Sequence, residues 1–410
     1  MTPLPGVLTA IAILGISAAA LSAGEKAGAP AGQPRVFLLD GRLLAETRAR
    51  AAADKSLARD VEELRRDADK ELRAGPFSVV FKKTLPPSGD KHDYMSQAPY
   101  WWPDPSKPDG LPYIRKDGEV HPDRGAFDNA QMSRMASAVE VLALAWYFTG
   151  HEPYAAHAAK LLRAWFLDAE TRMNPNLNFG QHIPGVTQGR GAGIIDTRCL
   201  LEVVDSVGLL AGSPSWTAAD QKALQEWFSR YVDWLLESKI GKEEARASNN
   251  HRTWYIVQVA AFALFAGRPD VARQAVAGAP KQVDSQIEPD GRQPQELART
   301  KSWDYSCMNL DGWFCLARLG DAVGVDIWNY RSADGRSIRR ALDYLLPYAK
   351  SGGPDWPHKQ ITKFTAGRLG YVVRRAAIKY QDKKYADAAA VLGPRETDER
   401  IDLLWPMPRQ

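Results

Sequence analysis

Residues 128–169 decide the fold class: they read DNAQMSRMASAVEVLALAWYFT from 128 to 149 and, after a short break, PYAAHAAKLLRAWFLDA from 153 to 169. Each run mixes apolar and polar residues in the pattern of an amphipathic helix. Thr149-Gly150 separates the two runs, because glycine commonly ends a helix. The stretch therefore predicts two successive helices joined by a tight turn.

Similar helical runs continue toward both ends of the chain. Leu43 to Leu72 is dense in Ala, Arg, Glu and Leu, which favour helix. Glycine and proline punctuate further runs near 193–211, 217–238, 249–266, 269–286, 302–319, 335–349, 368–380 and 384–391. Strand signals are scarce, and the best candidate is Phe77 to Phe81.

This succession of runs predicts an all-α protein. Antiparallel helices in such number favour an (α/α) toroid, an incomplete α/α barrel of about six to seven helical hairpins. A multi-helix bundle would give the same pattern, so the residues alone leave both architectures open. We expect a single domain over 36–400 and a C-terminal tail over 401–410.

The N-terminus predicts export. Val7 to Leu21 is an apolar run that is short for a membrane span but suits a signal peptide, and small residues follow near Ala20 to Gly24. No Lys or Arg precedes the run, which departs from the usual pattern and leaves an uncleaved anchor as the alternative. We expect a signal peptide over 1–24, a linker over 25–35, and a periplasmic or secreted protein without membrane association after cleavage.

The composition excludes some classes of protein. The 410 residues include 53 Lys and Arg against 49 Asp and Glu, a net charge of +4. This excess is too small for a dedicated nucleic-acid-binding protein, although it suits an acidic ligand. The three cysteines predict small buried hydrophobic residues and no disulfide scaffold. The seven histidines show no metal-ligand spacing, so we expect neither a metal nor another cofactor.

A long irregular stretch from Gly75 to Phe127 interrupts the helical texture. Long helices are forbidden there by Pro86, Pro87, Pro99, Pro103, Pro105, Pro108 and Pro112. Loops of this length in compact proteins are usually functional. Tyr94, Trp101 and Trp102 in this Pro-rich loop are candidates for stacking on sugar rings. The alternative is that they plug the loop onto the helical body.

Two further segments carry polar residues next to predicted helices. The first reads NLNFGQHIPG at 176–185 and GRGAG at 189–193, and it offers Gln181, His182 and Arg190. Its glycines permit close backbone approach to a ligand, and a helix starting near Ile194 would favour an anion at its N-terminus. A long polar turn is the plainer interpretation.

The second segment, SNNHRTWY at 248–255, opens a helix with Asn249, Asn250 and His251. Asn249 also suits the N-cap position. About 50 residues later, RTKSWDY at 299–305 offers Arg299 and Tyr305, which a helical toroid could bring to the same cleft. His358 is a further possible anion contact.

These residue types fit β-elimination on a polymer of uronic acids. The C5 proton of a uronate becomes acidic enough only when its carboxylate is neutralised, and Asn, Gln, Arg or protonated His can do this. A base must take that proton, and an acid must protonate the departing O4. One Tyr can do both when proton and leaving group depart from the same side, as in mannuronate or glucuronate. Guluronate needs a separate base such as His.

The sequence resembles the alginate lyase domain family, which contains helical-toroid lyases acting on alginate and related polyuronates. The resemblance covers about Arg35 to Lys379 and rests on YMSQAPYWWPDP at 94–105, DGLPY at 109–113, GRG at 189–191 with IID at 194–196, and NNH-x-TWY at 249–255. It implies that Asn250 and His251 neutralise the carboxylate, or that His251 is the base. It also implies that Tyr305 is the general acid, and the base for syn substrates, with Arg299 beside it. Candidate substrate-binding residues are Tyr94, Trp101, Trp102, Gln181, His182, Arg190, Asn249 and His358.

Two positions depart from the family pattern, and two other classes of protein remain open. Arg252 stands where a small residue is common, and Trp303-Asp304 precedes Tyr305 where a less acidic run is expected. These departures leave β-1,4-glucuronan close behind alginate as the expected anionic polysaccharide. A glycoside hydrolase would need two carboxylates, for which Glu288 and Asp290 are candidates, although Glu288 to Gly291 also has the pattern of a turn. A polyuronate-binding protein without catalysis is the third possibility.

Overall fold

The structure is a computed structural model that describes residues 32–392 and 400–407. The predicted signal peptide over 1–24 and most of the predicted linker over 25–35 lie outside the described residues. Within the described ranges, no helix combines the length and the apolar character that a membrane crossing requires.

Helices form most of the described chain. In order they are α1 (Gly41–Ala51), α2 (Lys55–Glu71), α3 (Asp128–Thr149), α4 (Glu152–Leu162), α5 (Leu200–Leu209), α6 (Ala218–Glu237), α7 (Lys239–Glu244), α8 (Asn250–Phe265), α9 (Pro269–Val276), α10 (Ala279–Gln286), α11 (Pro294–Leu297), α12 (Ser302–Val323), α13 (Ile338–Ser351), α14 (Gly370–Tyr380), α15 (Lys383–Leu392) and α16 (Ile401–Leu404). Tighter 3₁₀ segments occur at Val79–Phe81, Pro122–Ala126, Gly191–Cys199 and Ala366–Leu369.

Most of the predicted helices are confirmed with small shifts at their ends. The exception is the run at 193–211, where Gly191–Cys199 forms a 3₁₀ segment and α5 begins only at Leu200. The run at 128–149 is α3 along its whole length, and it ends at Gly150, whose φ of 69° only glycine adopts readily. The run from Leu43 to Leu72 divides into α1 and α2, because the Asp54 side chain caps a new helix by accepting from the Ser56 and Leu57 N–H groups. The run at 269–286 likewise divides into α9 and α10. Helices α7, α11 and α16 are too short for a periodic pattern to predict.

The strand predicted at Phe77 to Phe81 is wrong. Ser78 instead caps the 3₁₀ turn Val79–Phe81, and its hydroxyl donates to the Thr171 carbonyl at 2.6 Å. Val79 is fully buried. A short apolar run is compatible with either structure, and here the turn buries its central residue without a partner strand.

The helices pack in pairs around one continuous core and form the predicted (α/α) toroid. Helix α3 packs against α2, α4 and α5, helix α8 packs against α6, α9 and α12, and α12 also packs against α13 and α14. Large side chains such as Trp165, Phe262 and Trp313 are fully buried between them. Removal of these apolar surfaces from water is the main force that stabilises the ring.

Residues beyond 400 contribute to this core instead of extending from it. Helix α16 packs against α1 and α2, and Leu404 and Trp405 are buried there. The Trp405 carbonyl also accepts a hydrogen bond from Arg374 of α14, at 3.3 Å. The end of the described chain therefore joins the last hairpin of the toroid to the first helices.

The Pro-rich loop folds across one end of the toroid and forms two small sheets with its surroundings. Strand β1 (Met95–Gln97) pairs in parallel with β4 (Phe179–His182), and β2 (Trp101–Trp102) pairs antiparallel with β3 (Ile114–Arg115). Asp196, in the segment Gly191–Cys199, accepts a hydrogen bond from the Ser96 hydroxyl at 2.5 Å. The Tyr100 hydroxyl also lies 2.7 Å from the Tyr305 hydroxyl, so the loop covers the N-terminal end of α12.

Candidate active site

A cleft of about 750 Å³ lies where the Pro-rich loop meets the N-terminal ends of α8 and α12. Among its lining residues are seven of the sequence candidates: Trp101, Gln181, Arg190, Asn249, His251, Arg299 and Tyr305. The other candidates lie outside the lining: Tyr94, Trp102, His182, Asn250 and His358. The structure thus brings together segments that are about 200 residues apart in the sequence.

The cleft is strongly cationic. Its basic lining residues are Arg115, Arg124, Arg190, Arg198, Arg299, Lys301 and Arg368, against two carboxylates. Of these carboxylates, Asp304 pairs with Arg368 and Asp311 pairs with Arg375. Because the whole chain has a net charge of +4, basic charge is concentrated at this site. Such a field attracts a polyanion.

Tyr305 lies in the first turns of α12 and is largely buried. Its hydroxyl accepts a hydrogen bond from Arg299 Nη2 at 2.8 Å and shares another with the Tyr100 hydroxyl at 2.7 Å. Burial, reinforced by Tyr100, raises the pKa of Tyr305 well above its usual value of 10. The hydroxyl therefore holds its proton at neutral pH and can act as a proton donor.

Arg299 is held in place by Asp117. Arg299 Nη2 donates to Asp117 Oδ1 at 2.8 Å, and the Thr300 N–H donates to Oδ2 at 3.2 Å. Burial opposes ionisation of Asp117, but the hydrogen bonds from Arg299 and Thr300 lower its pKa well below the usual range. Asp117 is therefore charged, and it fixes the guanidinium that touches Tyr305.

His251 lies in the first turn of α8. Its Nδ1 is 2.6 Å from Oε1 of Glu244, a buried carboxylate at the end of α7. An ionised carboxylate only accepts hydrogen bonds, so Nδ1 carries a proton in this pair. In the neutral imidazole, Nε2 then has the free lone pair that a general base requires.

The prediction that Asn250 contacts substrate is corrected by the structure. Its side chain is completely buried, and both its backbone N–H and its Nδ2 donate to the Glu296 carboxylate at 2.7 Å. Asn249 faces the cleft instead, while its side chain caps α8 by accepting from the His251 N–H at 3.3 Å. Because α8 starts between the two residues, Asn249 is the N-cap and stays at the surface, whereas the Asn250 side chain points into the core.

Gln181 and Arg190 form the opposite wall as a bonded pair. Arg190 Nη2 donates to Gln181 Oε1 at 2.5 Å. Gln181 has a φ of 50°, which residues other than glycine rarely adopt, and its N–H donates to the Ser96 hydroxyl at 2.8 Å. Strained backbone of this kind is often retained at functional sites. The Gln181 amide and the Arg190 guanidinium are thus both presented to the cleft.

The glycines near Arg190 allow two segments of backbone to pack closely together. The sequence suggested that they would allow close approach to a ligand instead. A Cβ on Gly193 would lie 2.5 Å from the Gly180 carbonyl, and a Cβ on Gly191 would lie 2.8 Å from the Glu244 nitrogen. Both distances are too short for any side chain. The glycines therefore bring the Arg190 segment against β4 and against the helix that carries Glu244.

The aromatic residues of the Pro-rich loop have different roles. Trp101 lines the cleft and is available for sugar stacking. Tyr94 is fully buried, and its hydroxyl donates to Asp196 at 3.1 Å. Trp102 packs against His121, with ring centroids 4.7 Å apart. Tyr94 thus attaches the loop to the helical body, and Trp102 packs within the loop. Neither lines the cleft, which corrects their assignment as substrate-binding residues.

Two other candidates have structural partners away from the cleft. Nδ1 of His182 is 3.1 Å from the Thr187 carbonyl, and burial lowers the pKa of His182. Nε2 of His358 is 2.9 Å from the Tyr344 hydroxyl, and its ring packs on Trp356. The structure therefore gives neither histidine a contact with the cleft.

The carboxylates considered for a hydrolase form a turn. Glu288 and Asp290 both pair with Arg292, at 3.0 and 2.7 Å, and Gly291 has a φ of 96°. Neither carboxylate lines the cleft. Within the described ranges, no three His, Cys, Asp or Glu side chains cluster in a way that could hold a metal ion.

Three further residues belong to the site although the sequence did not predict them: Tyr100, Asp117 and Glu244. Tyr100 lies within the aromatic stretch that marked the loop, so its position offered a signal. Asp117 and Glu244 lie in ordinary charged segments, KDG and KEEAR. Nothing local distinguishes them from solvated surface residues.

Comparison with known proteins identifies relatives of this chain. A profile of the alginate lyase family matches residues 78–356. The crystal structure of an alginate lyase from Bacteroides ovatus is similar to this chain at 41% identity and a TM-score of 0.87, over 91% of this chain and 99% of that one. No curated protein sequence matched the chain.

More distant structures share the fold. Alginate lyase A1-III from Sphingomonas species A1 is 17% identical, with a TM-score of 0.52 over 84% of this chain and 94% of that one. A variant of alginate lyase A1-III complexed with a tetrasaccharide is 15% identical, with a TM-score of 0.57 over 92% of this chain and 98% of that one. At 15–17% identity, this similarity shows a shared fold and nothing about function.

The toroid, its basic cleft and the family match together define a polysaccharide lyase. Within that class, the chain belongs to the alginate lyase family.

Proposed function

We propose that this lyase cleaves 1,4-linked uronic acid polymers by metal-independent β-elimination, with alginate as the favoured substrate and β-1,4-glucuronan as the alternative. The observation that carries the proposal is the pairing of Tyr305 with Arg299 and Tyr100 in the same basic cleft as the His251–Glu244 pair. A polyanion, a proton donor and a proton acceptor can meet there.

The first step needs a neutralised carboxylate at the reacting uronate. Gln181, Arg190 and Asn249 line the cleft and offer amide and guanidinium donors for this purpose. Hydrogen bonds from such donors stabilise the charge that moves onto the carboxylate as the C5 proton leaves. We assign this role to these three residues in place of the buried Asn250.

His251 and Tyr305 carry out the proton transfers, and their roles depend on the uronate. For guluronate, His251 Nε2 takes the C5 proton, the C4–C5 double bond forms, the C4–O4 bond breaks, and Tyr305 gives its proton to O4. For mannuronate or glucuronate, Tyr305 first loses its hydroxyl proton to solvent. The phenolate then takes the C5 proton, the C4–C5 double bond forms, and the re-formed hydroxyl gives that proton to O4 as the C4–O4 bond breaks. The Arg299 donor on the Tyr305 oxygen would stabilise that phenolate.

The substrate preference rests on family membership and on the residues around Tyr305. The Bacteroides ovatus structure, an alginate lyase, supports alginate, and the tetrasaccharide bound to a variant of alginate lyase A1-III supports an oligosaccharide in the cleft. Asp304, which departs from the family pattern, lines the cleft, but Arg368 offsets its charge at 2.6 Å. Arg252 lies outside the lining. Alginate therefore stays first and glucuronan second.

The test is near-ultraviolet absorbance of the 4,5-unsaturated product during separate incubations with polymannuronate, polyguluronate and β-1,4-glucuronan. We expect a rise with at least one polymer and a fall in kcat of about 10²–10⁴-fold for Tyr305→Phe, because the acid is removed. A melting temperature equal to that of the wild type serves as the folding control. New reducing ends without absorbance would point to a hydrolase and overturn the proposal, as would binding without any product.

We also propose that the protein acts outside the cytoplasm. The apolar run Val7 to Leu21, followed by small residues, supports export, and long polysaccharides reach an exported enzyme without crossing the inner membrane. N-terminal sequencing of the protein recovered from its native host tests this idea. A mature start at or near Glu25 is expected from the predicted signal peptide over 1–24, and an intact N-terminus in the cytoplasmic fraction would contradict it.

A further inference from the structure

A second cavity, of about 620 Å³, lies at the other end of α12 from Tyr305. It is formed by the segment after α12, the first turn of α13, the end of α14 and the start of α15, with Pro289 at its rim. Helix α12 has 22 residues and is therefore about 33 Å long. Since Tyr305 is in its first turn, the second cavity lies roughly 30 Å from the proposed catalytic groups.

This cavity contains basic side chains without acidic partners. Several of its charges pair locally: Lys384 with Asp343 at 2.7 Å, Arg339 with Asp382 at 2.6 Å, and Asp334 with Arg336 at 2.8 Å. Within the part of the chain that the structure describes, neither Arg331 nor Arg340 has a carboxylate partner.

Arg331 and Arg340 are exposed and can rearrange around a ligand. Arg340 Nε donates to the Pro289 carbonyl at 3.2 Å, which leaves the two terminal nitrogens of its guanidinium for another acceptor. All the N–H donors of the Arg331 guanidinium are available for a ligand. A guanidinium binds a carboxylate through two parallel hydrogen bonds, so two forks in one cavity fit a chain that bears repeated carboxylates.

Aromatic rings complete the lining in a way that suits a sugar more than a simple anion. Tyr330 and Tyr380 are partly exposed, and their hydroxyls are already engaged, with Asp284 at 2.8 Å and with the Trp328 carbonyl at 3.1 Å. The hydroxyls therefore fix the orientation of both rings. Arg339 lies over the Tyr380 ring, 4.9 Å from its centre, so Tyr330 offers the ring surface for apolar contact with a sugar.

We propose that this cavity is a second binding site for a uronate-bearing segment of the polysaccharide, separate from the cleft where the chain is cut. The proposal rests on the proposed function for the identity of the ligand. One molecule of a short oligosaccharide is too short to reach both sites, so two such molecules are needed to fill them. A single long chain can occupy both sites. The second site would hold polymer near the enzyme and raise its effective concentration at the cleft.

The test uses a double variant, Arg331→Ala with Arg340→Gln, and a matched control, Arg73→Ala with Arg230→Gln. Both control arginines are exposed and lie outside the cavity and the cleft, so each double variant loses the same charge. We expect kcat/KM on long polymer to fall by about three- to tenfold in the cavity variant alone, with kcat/KM on a tetrasaccharide unchanged. Equal losses in both variants, or none in either, would overturn the proposal.

A binding measurement separates this proposal from the proposed catalytic function. Titration calorimetry of Tyr305→Phe with tetramers of mannuronate, guluronate and glucuronate requires no turnover. We expect two equivalents of one of these tetramers to bind, and one equivalent after the cavity substitutions are added. A single equivalent in the Tyr305→Phe parent would exclude the second site even if the enzyme cleaves polyuronates. Two equivalents would support it even if cleavage fails.

Discussion

At the scale of single residues, two carboxylates that do not line the cleft set the positions of the proposed acid and base. Asp117 holds Arg299, which touches the Tyr305 hydroxyl, and Glu244 holds His251. Groups fixed before the substrate arrives need little rearrangement during the reaction, and small misplacements are costly. The role of each reacting residue therefore depends on a partner that the chemistry itself does not require.

Glu244→Gln tests this dependence. The amide keeps the size of the side chain but no longer requires a proton on Nδ1 of His251, so the ring is free to adopt the wrong tautomer. We expect kcat on a substrate that uses His251 as base to fall about tenfold or more, with KM little changed. Steady-state kinetics measure this, and Glu243→Gln, the exposed neighbouring residue, is the control. Equal kcat values for the two variants would contradict the assignment.

The site residues that sequence analysis found are those in unusual local patterns. His251, Arg299 and Tyr305 stood out by motif and spacing, and all three line the cleft. The choice between Asn249 and Asn250 could not be made in advance, because it depends on the residue at which α8 begins. A shift of one position on a helix turns a side chain by about 100°, from surface to core.

At the scale of elements, the segment before α1 is attached to α5 by one carboxylate. Asp205 accepts hydrogen bonds from the backbone N–H groups of Phe37 at 2.6 Å and Leu39 at 2.8 Å. Asp205 is almost fully buried, and this burial raises its pKa to about 6. An unfolded chain has an Asp pKa of about 4, so the folded state binds the proton more tightly.

This difference predicts how stability changes with pH. Because Asp205 has a higher pKa in the folded than in the unfolded state, its protonation stabilises the fold at any pH below the unfolded pKa of about 4. This stabilisation is lost as the pH rises from about 4 to about 6. The free energy of unfolding of the wild type should therefore decrease across this window relative to that of Asp205→Asn. Urea unfolding at several pH values measures the difference. Parallel pH profiles for the two proteins would show that Asp205 does not titrate in this way.

Helices were predicted well because their signals are local. Periodicity, caps and glycine stops are read from residues a few positions apart, as in α3 and at Gly150. The apolar run at Phe77 to Phe81 was assigned wrongly because its structure depends on contact with Thr171, which is distant in the chain. Short elements without a period depend on such tertiary contacts.

At the scale of the whole molecule, the described chain ends by packing its last residues against its first helices. Trp405 is buried between α16 and its neighbours, and Arg375 of α14 lies 6.0 Å from the centre of its ring. Loss of a buried Trp side chain leaves a large cavity. Trp405 therefore contributes to the closure of the toroid as well as to local packing.

Trp405→Ala should lower the free energy of unfolding by about 3–5 kcal/mol, since both the transfer of the ring and the cavity contribute. Equilibrium unfolding in urea measures this change. Val391→Ala, at a position 60% exposed, is the control and should change stability by less than about 0.5 kcal/mol. A small effect of Trp405→Ala would mean that the C-terminal residues lie on the toroid without stabilising it.

The sequence by itself determined the all-α class, most helix positions and the motifs that carry His251, Arg299 and Tyr305, because these depend on interactions within one or two helical turns. Only the tertiary structure decided which partners these residues have. Tyr100 is 205 positions from Tyr305, and Asp117 is 182 from Arg299. Contacts across such separations arise from how the helices and the Pro-rich loop pack, and no local pattern of residues encodes that packing.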